Sequence, residues 1–143
     1  MALQGAEVLL YPTAIGSEPH APINSYMHWL RVQQGHAAAN VMPLVASNRV
    51  GEEHLPGPGA GAPPNAYYGG SFIAGSQGEV MAQVGAKQLE HGHPDADPAL
   101  VEGFVTATVD LDKVAVERAA WGVFRDRRPE LYGCLATLGG SKA

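Results

Sequence analysis

The first half of the chain alternates short apolar runs with one stretch of helical periodicity. Residues 7–14 (EVLLYPTA) form an apolar run closed by Pro12, Gly16 and Pro19, which predicts a buried strand followed by a loop. A strand apolar on both faces belongs in the middle of a sheet. Only six residues precede this one, so a further segment is expected before it. Asn24 or Ser25 is placed to cap a helix running to about Asn40, with Tyr26, Trp29, Leu30, Gln33 and Ala37 at helical spacing. Residues 43–50 (PLVASNRV) then predict a second buried strand. The order strand, helix, strand within about 45 residues marks an α/β unit, whose crossover is expected to be right-handed.

Gly, Pro and Ala dominate residues 51–65, a composition that fixes no regular backbone and predicts a surface loop. Two short apolar runs, 71–75 and 79–84, flank Ser76, Gln77 and Gly78 and predict a β-hairpin with Gly78 in a left-handed conformation. Alternation over 101–109 predicts another strand. Asp110 then caps a short helix through LDKVAVERA, followed by a basic stretch at Arg125, Arg127 and Arg128. Nothing repeats internally.

Composition narrows the functional classes. A chain of 143 residues with 45% hydrophobic content suits one domain with a sizeable core. The formal charge of -5, with 9 Lys and Arg, argues against nucleic acid and against a polybasic membrane contact. No apolar run reaches the roughly 18 to 20 residues of a membrane span, and the first residues lack a signal-peptide pattern. A cytoplasmic protein is therefore expected. With Cys134 as the only cysteine, neither an internal disulfide nor a multi-cysteine zinc site can form.

Candidate chemistry is sparse. Cys134 lies among apolar neighbours (LYGCLATL), where a thiol behaves as a small hydrophobe. His91, His93, Asp95 and Asp97 offer metal-ligand types, but Pro94 and Pro98 break any face on which they would converge, so a solvated turn is the expectation. Gly57, Gly59 and Gly61 lack the Gly-Lys-Ser/Thr of a phosphate loop. Glu18 stands out more, because the carboxyl end of a buried strand is where α/β proteins place ligand contacts. Arg125, Asp126, Arg127, Arg128 and Glu130, with Trp121, Phe124 and Tyr132 around them, suit either a subunit contact or packing of the tail on its own domain.

Five blocks carry a resemblance: ALQGAEVLLYPTAIGSEP, HWLRVQQGHAAAN, PLVASNRVG, YYGGSFIAGSQGEV and VDLDKVAVERAAWGVFRDRRPELY. In this order they resemble the C-terminal half of the nitrilase-type carbon-nitrogen hydrolases, and among these the N-carbamoylputrescine amidase branch. The resemblance spans Ala2 to about Leu138, interrupted at 51–65 and 86–99. It implies an α-β-β-α sandwich, of which residues 1–143 supply the C-terminal portion as one partial domain. It also implies hydrolysis of a ureido group by a Glu, Lys and Cys triad, with no metal or organic cofactor. The matching positions of that triad are expected upstream of Met1, and Cys134 matches none of them.

What the resemblance carries onto this chain is a substrate loop, Ala14, Ile15, Gly16, Ser17 and Glu18 after Thr13, with Glu18 facing the distal ammonium of a carbamoyl amine. It further implies a homo-oligomer built partly by the C-terminal tail. Three readings follow: a piece of a longer active amidase, a non-catalytic paralogue that joins full-length subunits, or a small domain binding a metal through His91 and His93.

Overall fold

The computed structural model describes residues 1–17, 23–54, 64–84 and 102–139. A 3-10 turn at Ala2–Gln4 leads into β1 (Leu9–Thr13), α1 (Tyr26–Asn40) and β2 (Leu44–Asn48). β3 (Val50–Glu53), β4 (Asn65–Tyr68), β5 (Phe72–Ala74) and β6 (Val80–Gln83) follow, then α2 (Leu111–Trp121) and two 3-10 turns, Pro129–Leu131 and Gly133–Ala136. The strands form a four-stranded sheet in the order β1-β2-β5-β6 and a separate β3-β4 pair.

β1 and β2 run parallel, joined through α1, as the strand-helix-strand pattern requires. α1 buries Tyr26, Trp29, Leu30, Gln33 and Ala37, the residues at its predicted spacing. Tyr26, Trp29, Leu30 and Ala37 cluster with Leu9, Leu44, Ala46, Phe72 and Ala74, alternate residues that the register places on one face of the sheet. Trp29 meets Phe72 edge-on with ring centroids 5.5 Å apart. Asn24 Oδ1 accepts from the Tyr26 amide at 3.0 Å at the start of α1, while Ser25 is engaged by the Tyr68 hydroxyl.

The β5-β6 hairpin forms as expected, with Gly78 at φ 83°. A side chain at Gly78 has no room, because its Cβ would lie 2.7 Å from the Gln34 carbonyl of α1. α2 begins at Asp110, whose Oδ1 accepts from the Lys113 amide at 2.9 Å. Two contacts hold α2 in place: Ser76 Oγ donates to Glu117 Oε2 at 2.8 Å, and Arg118 Nε donates to the Val41 carbonyl at 3.2 Å.

Four expectations are corrected. β1 is an edge strand among the described residues, and its Leu10 is 69% exposed rather than enclosed on both faces. The single strand expected over 43–50 divides at Arg49, because Val50 turns to pair with Tyr68 in the second sheet. Gly51, Glu52 and Glu53, read as loop, belong to that pairing; residues 55–63 lie outside the described residues. Residues 104–110 keep the alternating exposure that suggested a strand, yet no ladder partner reaches 102–110 among the described residues, and Phe104 is 90% exposed. Alternation reports a half-buried extended chain; hydrogen-bonded pairing also needs a free sheet edge alongside. No helix among the described residues is long and apolar enough to cross a membrane.

Candidate functional site

The chain leaves the carboxyl end of β1 at Thr13 and crosses the edge of the β3-β4 pair. There Ala14, Ile15, Gly16 and Ser17, with Ser25, Asn65 and Tyr67, line a cleft of about 270 Å³. The structure thus brings together four of the five residues expected to form a substrate loop. Glu18 lies outside the described residues, as do His91, His93, Asp95, Asp97 and Gly57, Gly59 and Gly61.

Backbone pairing fixes the floor of the cleft. Gly16 bridges to Tyr67, the Ser17 amide donates to the Ala66 carbonyl at 2.8 Å, and the Tyr68 amide donates to the Ile15 carbonyl at 3.2 Å. Any side chain at Gly16 is excluded, since its Cβ would stand 2.3 Å from the Ala66 carbonyl oxygen. The Asn48 side chain supplies the second support: its Oδ1 accepts from the Ile15 amide at 2.9 Å and its Nδ2 donates to the Ile15 carbonyl at 3.1 Å.

A charged cluster backs the Tyr67 wall. Arg49 lies over the Tyr67 ring, 4.4 Å from its centroid, and forks onto both oxygens of Glu53 at 3.2 and 3.3 Å. The Tyr67 hydroxyl donates to Glu53 Oε2 at 2.6 Å. That hydrogen bond, helped by the Arg49 charge, holds the Glu53 carboxyl below its ordinary range, and the same carboxylate pushes the Tyr67 phenol up.

Sequence reasoning missed Asn48, Asn65, Tyr67 and the Arg49–Glu53 pair. Asn48 carried a usable signal, a polar side chain at the carboxyl end of the apolar run PLVAS. Asn65 and Tyr67 carried none, because they follow the Gly/Pro-rich stretch and reach the cleft only through the β3-β4 pairing. Cys134 is half-buried in the turn Gly133–Ala136 and is not among the residues lining the cleft.

Among the described residues of the tail, none of the large apolar side chains belongs to the core cluster. Arg125 pairs with its neighbour Asp126 at 2.7 Å and Arg128 pairs with Glu130, all on the surface. Trp121, Leu131, Leu135 and Leu138 are exposed.

A model of the family described as carbon-nitrogen hydrolase matches residues 1–118. The chain belongs to that family. This carbon-nitrogen hydrolase chain is 52% identical over 142 residues to an N-carbamoylputrescine amidase of Solanum tuberosum, covering 99% of this chain and 43% of that protein. It is 46% identical over 133 residues to a citrullinase of Francisella tularensis, covering 92% of this chain and 40% of that protein. The crystal structure of a carbon-nitrogen hydrolase from Helicobacter pylori superposes with a TM-score of 0.74 at 34% identity, over 96% of this chain and 43% of that one. The chain therefore has the α/β fold of the carbon-nitrogen hydrolases. It spans about 43% of the length of the N-carbamoylputrescine amidases it matches.

Proposed function

We propose that residues 1–143 form part of the substrate pocket of an amidase acting on N-carbamoylputrescine. The observation that carries this reading is the cleft built from Ala14, Ile15, Gly16 and Ser17, within a chain 52% identical to an N-carbamoylputrescine amidase. Glu18 follows Ser17 directly, and its carboxylate pairs with the ammonium at the far end of the substrate. The citrullinase likeness supplies the competing substrate. Citrulline shares the ureido head but carries a carboxylate beside its amine, which Glu18 repels.

Hydrolysis proceeds through a cysteine thiolate that attacks the ureido carbon and expels ammonia. Water then cleaves the resulting thiocarbamate, freeing the thiol, and the carbamic acid so formed releases carbon dioxide to leave putrescine. The Glu, Lys and Cys that perform these steps come from outside these 143 residues, so the chain is inactive without them and needs no cofactor. Two features support the need for a complement. Leu10, Val45 and Ile73 share the sheet face opposite α1, where Leu10 is exposed. The exposed apolar side chains of the tail support a homo-oligomer, or a non-catalytic paralogue joined to full-length subunits.

The test is ammonia release by the protein purified from its source with whatever chains accompany it. N-carbamoylputrescine is expected to be preferred over citrulline, and Glu18→Gln to lower its kcat/KM by about tenfold or more. A preference for citrulline, retained in Glu18→Gln, rejects the cationic substrate. Co-purification of a 143-residue product with a longer family member supports the paralogue.

A further inference from the structure

We propose that Asn48 is the positioning residue of the cleft, setting where the segment after β1 stands and hence how the far end of the substrate is read. This rests on the cleft being the substrate site. A carboxamide has two N–H donors and an oxygen with two lone pairs. Asn48 uses all four. Its Oδ1 accepts from the Ile15 amide at 2.9 Å and from the Thr13 hydroxyl at 3.0 Å, that proton being shared with the Ser47 carbonyl at 3.1 Å. Its Nδ2 donates to the Ile15 carbonyl at 3.1 Å and to the Gly69 carbonyl at 2.9 Å.

Position explains why a side chain does this. Thr13 and Asn48 are the last partners of the parallel β1-β2 ladder. Beyond them the carboxamide stands where a further β2 residue would, bonding both polar groups of Ile15, whose carbonyl also accepts from the Tyr68 amide of β4 at 3.2 Å. The Asn48 backbone is occupied elsewhere, its amide donating to Ser71 Oγ at 2.9 Å. One side chain therefore ties the end of β1, the end of β2 and the β4-β5 link into one frame. Gly16 and Ser17, two lining residues, follow Ile15 directly, and neither is hydrogen-bonded to Asn48. Asn48 consequently acts on substrate through them.

Asn48→Asp keeps the shape and the accepting oxygen but turns both donations into repulsion against the Ile15 and Gly69 carbonyls. The measurement compares two substrates of the intact enzyme: N-carbamoylputrescine, and butylurea, which has the ureido head without the ammonium. Asn48→Asp is expected to lower kcat/KM for N-carbamoylputrescine by about tenfold, chiefly through KM, and to leave butylurea within about threefold. Thr13→Val, which removes one of the four bonds, moves the same ratio by about two- to threefold. An equal loss on both substrates, or no loss, overturns the proposal.

Hydrogen exchange at the Ile15 amide gives a readout free of activity. Asn48→Ala is expected to speed it by about tenfold or more, and unchanged protection overturns the positioning role. If the wild type hydrolyses neither substrate, the amidase reading fails, and exchange alone decides whether Asn48 holds the segment.

Discussion

Glu53 accepts the Tyr67 hydroxyl at 2.6 Å across the β3-β4 pair, so the phenol that lines the cleft is turned toward a carboxylate rather than left free. This hydrogen bond is the main reason the Glu53 carboxyl lies below its ordinary 4.5, with the Arg49 charge next. A carboxyl lowered in the folded state contributes stability above its ordinary value and loses it as pH falls through the lower one. Tyr67→Phe should therefore move the Glu53 midpoint up toward 4.5 and weaken the acid-side loss of stability. Carbon-detected NMR of the Glu53 carboxyl checks this; an unmoved midpoint would assign the effect to Arg49 alone.

Gly16 and Gly35 form a matched pair for testing how tightly the cleft floor is packed. A Cβ at Gly16 would meet the Ala66 backbone oxygen at 2.3 Å, and no rotation of a side chain relieves that contact. Gly16→Ala should cost about 1–3 kcal/mol and break the bridge to Tyr67. Gly35, inside α1, has nothing within 4 Å of its Cβ position. Gly35→Ala should gain about 0.5–1 kcal/mol from reduced freedom of the unfolded chain. Thermal melts of the two variants should thus shift in opposite directions, and equal shifts would contradict the close approach at Gly16.

The sequence was most readable where a single local signal decided the outcome. The spacing of Tyr26, Trp29, Leu30, Gln33 and Ala37 announced the buried face of α1, Asp110 announced the start of α2, and Gly78 announced the hairpin. It was least readable where pairing at a distance decided. Nothing local to PLVASNRV says that Leu44 pairs with Leu9 while Val50 pairs with Tyr68. The same holds for the cleft. Ala14, Ile15, Gly16 and Ser17 are implied by the family resemblance alone, whereas Tyr67 reaches them only because β4 lies beside them.

The cap of α2 carries unusual weight because only Val114 of that helix is buried. With so little packing, the hydrogen bond from the Lys113 amide to Asp110 Oδ1 is a large share of what fixes the first turn. Asp110→Ala should cost about 1 kcal/mol and raise amide exchange at Lys113 and Val114, while Asp110→Asn should retain most of the protection. If Asp110→Ala leaves exchange unchanged, α2 is held by Ser76 and Arg118 instead.

Tyr26 links the core to alkaline stability. Its ring is 5% exposed and packs against Trp29 and Tyr68, and burial pushes its phenol up to about 12, partly offset by a hydrogen bond from Gln83. Below pH 10 the phenol keeps its proton in both states and contributes no pH dependence. Between about 10 and about 12 the unfolded chain releases a proton that the folded chain retains, so stability falls by about 2–3 kcal/mol across that window. Tyr26→Phe abolishes this component. At neutral pH it costs about 1 kcal/mol, because Gln83 Nε2 loses the Tyr26 hydroxyl and keeps only the Gly70 carbonyl at 3.5 Å. Urea unfolding of both proteins at neutral and alkaline pH separates the two effects, since other titrating groups contribute equally to each. The variant should be the less stable protein at neutral pH, with its deficit shrinking and then reversing as pH rises through the window. Parallel curves would mean that the Tyr26 hydroxyl reaches solvent in the folded state.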